Sequence, residues 1–326
     1  MRTTRRSLQV MVAVTAAATA LAACSSGGGA QDEGNGGAAE GEEFTIAMIT
    51  HEAPGDTFWD KIRNGAEAAA ANHNITLNYS QDPDAGNQAT LIQNQVSSEV
   101  DGLAVTMPNP DAIGPAAQAA VEAGIPTVAF NAGGDAYLDY GLLMYFGSNE
   151  DLAGQAVGTK ISQENPGKTV CVIQEQGQVQ LETRCAGVAK TSPGTEVLYV
   201  NGRDLPSVQQ TIGAKLQQDP SVANVVALGA DIALAAQQSI ADAGSQAQVA
   251  TFDLNADVAQ QISDGGIAFS VDQQPYVQGY MAVTSLWLNL TNGNDIGGGG
   301  PVLTGPSIVD SSNIDAIQPY TENNTR

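Results

Sequence analysis

Hydrophobic and polar positions along this chain follow two alternating rhythms. Short apolar runs rich in β-branched residues recur, and between them lie Ala-rich stretches in which apolar residues return every three or four positions. The runs at 44–50, 75–79, 102–107, 127–130 and 142–146 read as strands, with helical patterns at 57–73, 87–98, 111–123 and 150–164. The alternation then restarts, with strand-like runs at 169–173, 197–200, 224–228, 249–252 and 267–271 and helices between them. Strands that are apolar on both faces and joined through helices belong to parallel sheets covered on both sides. The pattern therefore predicts an α/β chain of two doubly wound parallel-sheet lobes with right-handed crossovers.

Ligands of such sheets bind beyond the carboxyl ends of the strands, so the loops there carry the chemistry. The first reads Thr50-His51-Glu52-Ala53-Pro54-Gly55-Asp56-Thr57-Phe58-Trp59, a later one Asn131-Ala132-Gly133-Gly134, and two more Asp253-Leu254-Asn255 and Asp272-Gln273-Gln274-Pro275-Tyr276. Carboxylates and amides beside aromatics, without a metal cluster or nucleophile, suit a polyhydroxylated ligand. Its hydroxyls need acceptors and amide partners while its apolar ring face stacks on Phe or Trp. His51 either donates to a hydroxyl or simply ends its strand.

Ahead of the first strand the pattern changes. Arg2, Arg5 and Arg6 precede an Ala-rich apolar stretch that closes on Leu21-Ala22-Ala23-Cys24. This resembles a bacterial lipoprotein signal peptide over residues 1–23, which implies cleavage before Cys24, acylation of Cys24, and an extracytoplasmic chain anchored to the cell membrane by lipid. An ordinary cleaved signal with an incidental cysteine is the alternative, and Thr4-Arg5-Arg6-Ser7-Leu8 partly resembles a twin-arginine export signal. The stretch is too rich in Ala and Thr for a membrane-spanning helix, which needs about 20 strongly apolar residues. Residues 24–43 are mostly Gly, Ala, Ser and acids without apolar period and read as a lipidated cysteine on a disordered stalk.

Charge sharpens the picture. Removing Arg2, Arg5 and Arg6 from the 12 Lys and Arg leaves 9 basic against 35 acidic residues, a net charge of about −26. That balance excludes nucleic acid as a partner and leaves the acyl chains, not basic patches, to hold the membrane. With Cys24 assigned to lipid, Cys171 and Cys185 remain as a possible disulfide in an oxidising compartment, or as two separate buried thiols. Only His51 and His73 are present, and no Gly-x-Ser-x-Gly elbow, His-Glu-x-x-His helix or close carboxylate dyad occurs. A surface hydrolase therefore lacks its parts, and no cofactor or metal is expected.

From residue 44 onward the chain resembles the type I periplasmic sugar-binding proteins of ABC importers, the group containing the ribose and galactose receptors. The residues that carry the likeness are Phe58-Trp59 with Asn64-Gly65-Ala66, Gln88-Ala89, Val100-Asp101-Gly102, and Ala123-Gly124-Ile125-Pro126-Thr127-Val128 leading to Asn131. Arg184 with Gly187, Phe252-Asp253, and Gln273 through Tyr280 continue it. The resemblance implies two lobes joined by three crossings, an N-lobe of 44–147 plus 275–300 and a C-lobe of 148–274 plus 301–326. It also implies a monomeric receptor that closes on a monosaccharide or polyol and delivers it to a permease. By the same resemblance Phe58 and Trp59 sandwich the sugar ring, and Asp56, Asn131, Asp253 and Gln273 bond its hydroxyls. The family's arginine falls two positions ahead of Arg184, at Glu182, so either Arg184 does that work or Glu182 does so with inverted polarity. Gly229 stands where another polar binder is expected, with Asp231 nearby. A ligand-sensing receptor coupled to a membrane kinase uses the same closed state and is the alternative role, while a sugar-responsive repressor would need a DNA-binding headpiece where this chain has an export signal.

Overall fold

The computed structural model describes residues 43–326; the signal segment, Cys24 and all but the last residue of the stalk lie outside the described residues. Two six-stranded sheets organise the rest. The first contains β1 (Phe44–Thr50), β2 (Ile75–Gln81), β3 (Gly102–Val105), β4 (Thr127–Phe130), β5 (Tyr145–Ser148) and β11 (Val302–Gly305), in the order β11-β5-β4-β3-β1-β2 and all parallel. The second contains β6 (Lys168–Ile173), β7 (Glu196–Tyr199), β8 (Val222–Ala227), β9 (Gln248–Phe252), β10 (Phe269–Asp272) and β12 (Ser307–Asp310), in the order β12-β10-β9-β8-β6-β7.

Alternation along the central strands builds a core on each sheet face. On β1, Ile46 and Met48 enter the cluster under helices α1 (Phe58–His73) and α9 (Pro275–Asn292), while Ala47 and Ile49 enter the one under α2 (Ala85–Ser97) and α3 (Pro110–Glu122). On β6, Val170 and Val172 face α6 (Leu205–Gln218) and α7 (Ala230–Ala243), while Cys171 and Ile173 face α4 (Glu150–Glu164) and α5 (Val179–Thr191). Short helices α8 (Ala256–Ser263) and α10 (Ile314–Glu322) complete the second lobe.

Two pairs of glycines set the helix contacts that matter for the site. A Cβ on Gly65 would overlap the carbonyl oxygen of Tyr276, and one on Gly279 would overlap that of Ile62, so α1 and α9 touch backbone to backbone. In the other lobe a Cβ on Gly154 would overlap the carbonyl oxygen of Arg184, and one on Gly187 that of Asp151, which seats α5 directly on α4.

The chain passes between lobes after β5, after β10 and between β11 and β12. Two edge strands were not expected from the sequence: β11 beside β5, and β12, which runs antiparallel beside β10 and breaks the all-parallel pattern. The third crossing therefore falls at Gly305-Pro306, after 302–305 has joined the N-lobe sheet, rather than at 300–301. The three crossings meet: a Cβ on Gly305 would stand 3.0 Å from the carbonyl oxygen of Asp272 and 3.1 Å from Ser148 Oγ. Other elements shift by a few residues, most clearly the fifth strand, which begins at Tyr145 because Leu142 packs into the core from the preceding turn.

Candidate functional site

A cavity of about 560 Å³ opens between the lobes at the carboxyl ends of both sheets, within the size range of small-molecule sites. Asp56, Phe58, Trp59 and Asn131 line it from the N-lobe, Arg184 and Asp253 from the C-lobe, and Gln273 from the second crossing. All seven were expected from the sequence.

The backbone aims several of these side chains. Asn131, directly after β4, has φ +61°, and Asp253, directly after β9, has φ +68°. Their amides stay in the sheet ladders, bonded to the carbonyls of Phe146 and Val271 at 2.9 Å, while the left-handed turn swings each side chain off the strand end. Gln274 follows Gln273 with φ +55° and begins α9. Non-glycine residues in this region cluster at functional sites.

A polar chain joins the deepest groups. Arg184 Nε and Nη2 donate to the Glu150 carboxylate, and Nη2 donates to Gln273 Oε1 at 2.9 Å. Gln273 Nε2 donates in turn to Asp253 Oδ1 at 2.6 Å. The guanidinium also lies 4.8 Å from the centre of the Phe252 ring. Glu150 starts α4 just past the first crossing, so this chain ties two crossings to the cavity floor. Arg184 keeps Nη1 free of any protein hydrogen bond among the described residues, a donor left for the cavity.

Electrostatics follow from burial. The Asp253 carboxyl is pushed up to about 7 by burial, against the downward pull of Arg184. Asp56 is pushed up to about 6 by burial, although its Oδ1 accepts from the Phe58 amide at 3.0 Å. His51 is driven down to about 3 by burial and by Arg184, and is neutral. Its Nδ1 stands 2.7 Å from Thr106 Oγ1 and its Nε2 3.4 Å from Gln180 Nε2 on α5, so its ring bridges the lobes beside the cavity. Val179, at the start of α5, donates to the carbonyl of Pro108 at 3.0 Å across the same seam.

Glu182 does not belong to this wall. Residues 181, 184, 185 and 188 form the buried face of α5, and Glu182, two positions before Arg184, falls on the other side, where it accepts from the Tyr199 hydroxyl at 3.0 Å. Phe58 and Trp59 also differ from expectation. Their rings stand at 88° with centroids 5.4 Å apart, so they do not present parallel faces to one ligand ring. Trp59 is 3% exposed and packs with Ile62 and Ala66 in the N-lobe core, its ring nearly perpendicular to that of His51 at 4.7 Å between centroids.

The wall holds four charged residues that were not assigned to the ligand from the sequence: Lys61 on α1, Glu175 after β6, Arg203 after β7 and Asp231 on α7. Glu175 is pushed up to about 7 by burial and by Asp56, and Asp231 is raised by burial against the pull of Lys61. The place of three of them just past strand ends or at a helix start was the available signal. Cys171 on β6 and Cys185 on α5 lie with Cα atoms 5.8 Å apart and sulfurs in bonding contact, one residue from Arg184. Among the described residues no cluster of His, Cys, Asp and Glu is arranged to hold a metal.

The sequence pattern of the periplasmic binding protein domain matches residues 46–295. The chain belongs to the periplasmic binding protein family. Periplasmic binding proteins capture solutes for transporters and are not enzymes. This binding protein is 56% identical to a carbohydrate transporter protein of Acidothermus cellulolyticus solved in complex with myo-inositol, with a TM-score of 0.86 over 87% of this chain and 100% of that one. A solute-binding protein of Burkholderia graminis solved with D-arabinose shares the fold at 22% identity, TM-score 0.74, over 84% of this chain and 97% of that one. Among curated relatives, the xylose/arabinose-binding protein of Sulfolobus acidocaldarius is 26% identical over 69% of this chain, which spans 60% of that protein's length. The ribose import binding protein of Bacillus subtilis is 23% identical over 74% of this chain and 80% of that protein.

Proposed function

We propose that this binding protein captures a neutral cyclic polyol or monosaccharide, myo-inositol foremost, in the interlobe cavity and delivers the closed form to an ABC permease. The observation that carries this reading is the cavity wall: hydroxyl-bonding side chains from both lobes and from a crossing converge on one space, in a chain 56% identical to a protein that holds myo-inositol. Asp253 and Asp56 accept from ligand hydroxyls, Arg184 Nη1 and Asn131 donate to them, and Phe58 and Trp59 cover the apolar ring face. The lobes close by bending at the three crossings. The protein works outside the cytoplasm as a monomer tethered through acylated Cys24, with Cys171 and Cys185 oxidised to a disulfide, and with an N-lobe and C-lobe exchanging chain at 148–149, 274–275 and 305–306.

Calorimetry of the mature protein against myo-inositol, ribose, xylose, arabinose and galactose is the test. Micromolar binding, about −8 kcal/mol, is expected for at least one; a panel without a binder rejects the reading. Cys24→Ala is expected to move the protein from the membrane fraction to the soluble one.

A further inference from the structure

Lys61 is the buried charge of the cavity wall that still lacks a role. It sits on the first turn of α1 and is 2% exposed. An ammonium has three hydrogens to donate. Nζ gives one to the Thr57 carbonyl at 3.3 Å, and among the described residues no carboxylate oxygen stands within 4.0 Å of it. Burial draws its pKa down, while Asp253 and Asp56, followed by Asp60 and Asp231, act the other way from farther off. A buried cation is costly unless paired and hydrogen-bonded. The neighbouring buried cation shows the contrast: Arg184 is held by Glu150 and Gln273. Lys61 instead keeps its spare donors beside the cavity, with acceptors near enough to attract it and too far to bond it.

The acids make the same point from the ligand's side. Asp56, Glu175, Asp231 and Asp253 all line the cavity, and such a wall attracts an ammonium-bearing polyol as readily as a neutral one. Arg184 is neutralised by Glu150, and Arg203 is exposed at the mouth. Lys61 is the buried cation left to oppose a positive ligand.

We propose that Lys61 is a ligand-binding and selectivity residue, donating to a hydroxyl of the bound polyol between Asp253 and Asp56 and setting the preference for neutral over cationic polyols. This rests on the polyol reading of the cavity. The test is calorimetry on wild type, Lys61→Met and Lys61→Arg with myo-inositol, or the panel sugar that binds, and with its amino analogue in which an ammonium replaces one hydroxyl. Lys61→Met is expected to weaken the neutral ligand roughly ten- to a hundredfold, the range of a hydrogen bond from a charged donor. It is expected to shift the neutral-to-amino affinity ratio toward the amino analogue, while Lys61→Arg keeps the wild-type preference. Melting of ligand-free Lys61→Met is expected at or above the wild-type temperature, because methionine fills the space without a buried charge. Lys61→Gln serves as a second neutral variant if Lys61→Met does not fold. Affinity within threefold of wild type, an unchanged neutral-to-amino ratio, or loss of binding together with lowered melting in both neutral variants overturns the proposal. A wild-type protein that binds nothing in the panel overturns the polyol reading itself, a distinct result.

Discussion

Replacing Asp253 by Asn separates what the cavity costs the fold from what it gives the ligand. Burial lifts the Asp253 carboxyl from an ordinary 3.8 to about 7, outweighing Arg184 and the Gln273 amide. At roughly 1.4 kcal/mol for each tenfold change in proton affinity, ionising Asp253 costs the folded protein about 4 kcal/mol relative to the unfolded chain, and relaxation of the site brings this to about 2–4 kcal/mol. The folded state holds this proton more tightly than the unfolded one. The contribution therefore stabilises the ligand-free protein at low pH and is lost as pH rises from about 4 through about 7. Asparagine keeps an oxygen for the Gln273 amide, which Asp253 accepts at 2.6 Å, but carries no charge. Ligand-free Asp253→Asn should melt roughly 4–12 °C above wild type near pH 8, and the gap should close toward pH 4.5. Glu175 and Asp56 also sit high, at about 7 and about 6; Asp56 repels the Asp253 carboxylate, so Asp253→Asn also relieves Asp56, which adds to the difference in the same direction. Scanning calorimetry of the two proteins across this range decides the matter. An Asp253→Asn melting curve on or below wild type at pH 8 would refute the account of the cavity as electrostatically strained when empty.

Two further perturbations probe the scaffold. Replacing Cys171 and Cys185 together by Ala opens a loop of 14 residues, and chemical denaturation should show a loss of about 3 kcal/mol with weaker ligand binding, since Cys185 adjoins Arg184; equal stability would mean that the thiols are not bridged in solution. Gly279→Ala drives a methyl into the Ile62 carbonyl. It should destabilise by about 1–3 kcal/mol or more and weaken binding, because α1 carries Phe58, Trp59 and Lys61; wild-type melting and affinity would show that α1 and α9 can part freely.

Much of this architecture was legible because parallel strands announce themselves: ten of the runs read as strands lie on or beside observed ones, and the loops at their ends hold the cavity. The two edge strands carry weak local signals. Val302–Gly305 and Ser307–Asp310 are four residues each, flanked by Gly and Pro, and become strands only because β5 and β10 offer open edges. Between Glu182 and Arg184 the helix period decides which one reaches the wall: two residues along a helix turn the side chain by about 200°, so only one of them can face the cavity, and that one is Arg184. Trp59, by contrast, was ambiguous in principle, since its spacing with Ile62 and Ala66 suits a core stripe as well as a cavity edge. Lys61 gave no hint at all, because a lysine near a helix start ordinarily snorkels into water, whereas this one is 2% exposed in the fold.

The wiring of Arg184 to Glu150 and Gln273 has an evolutionary corollary. On the proposed reading, Gln273 and Glu150 serve both the cavity and the crossings, so a substitution at either to accommodate a new solute would also reset the resting angle and stiffness of the joint. Taste and gait are inherited together in such a receptor. Changes at Gln273 or Glu150 are expected to alter how often the receptor is shut as well as what it holds, whereas changes at Phe58 on α1 or Glu175 after β6, neither of them on a crossing, are expected to act on recognition first.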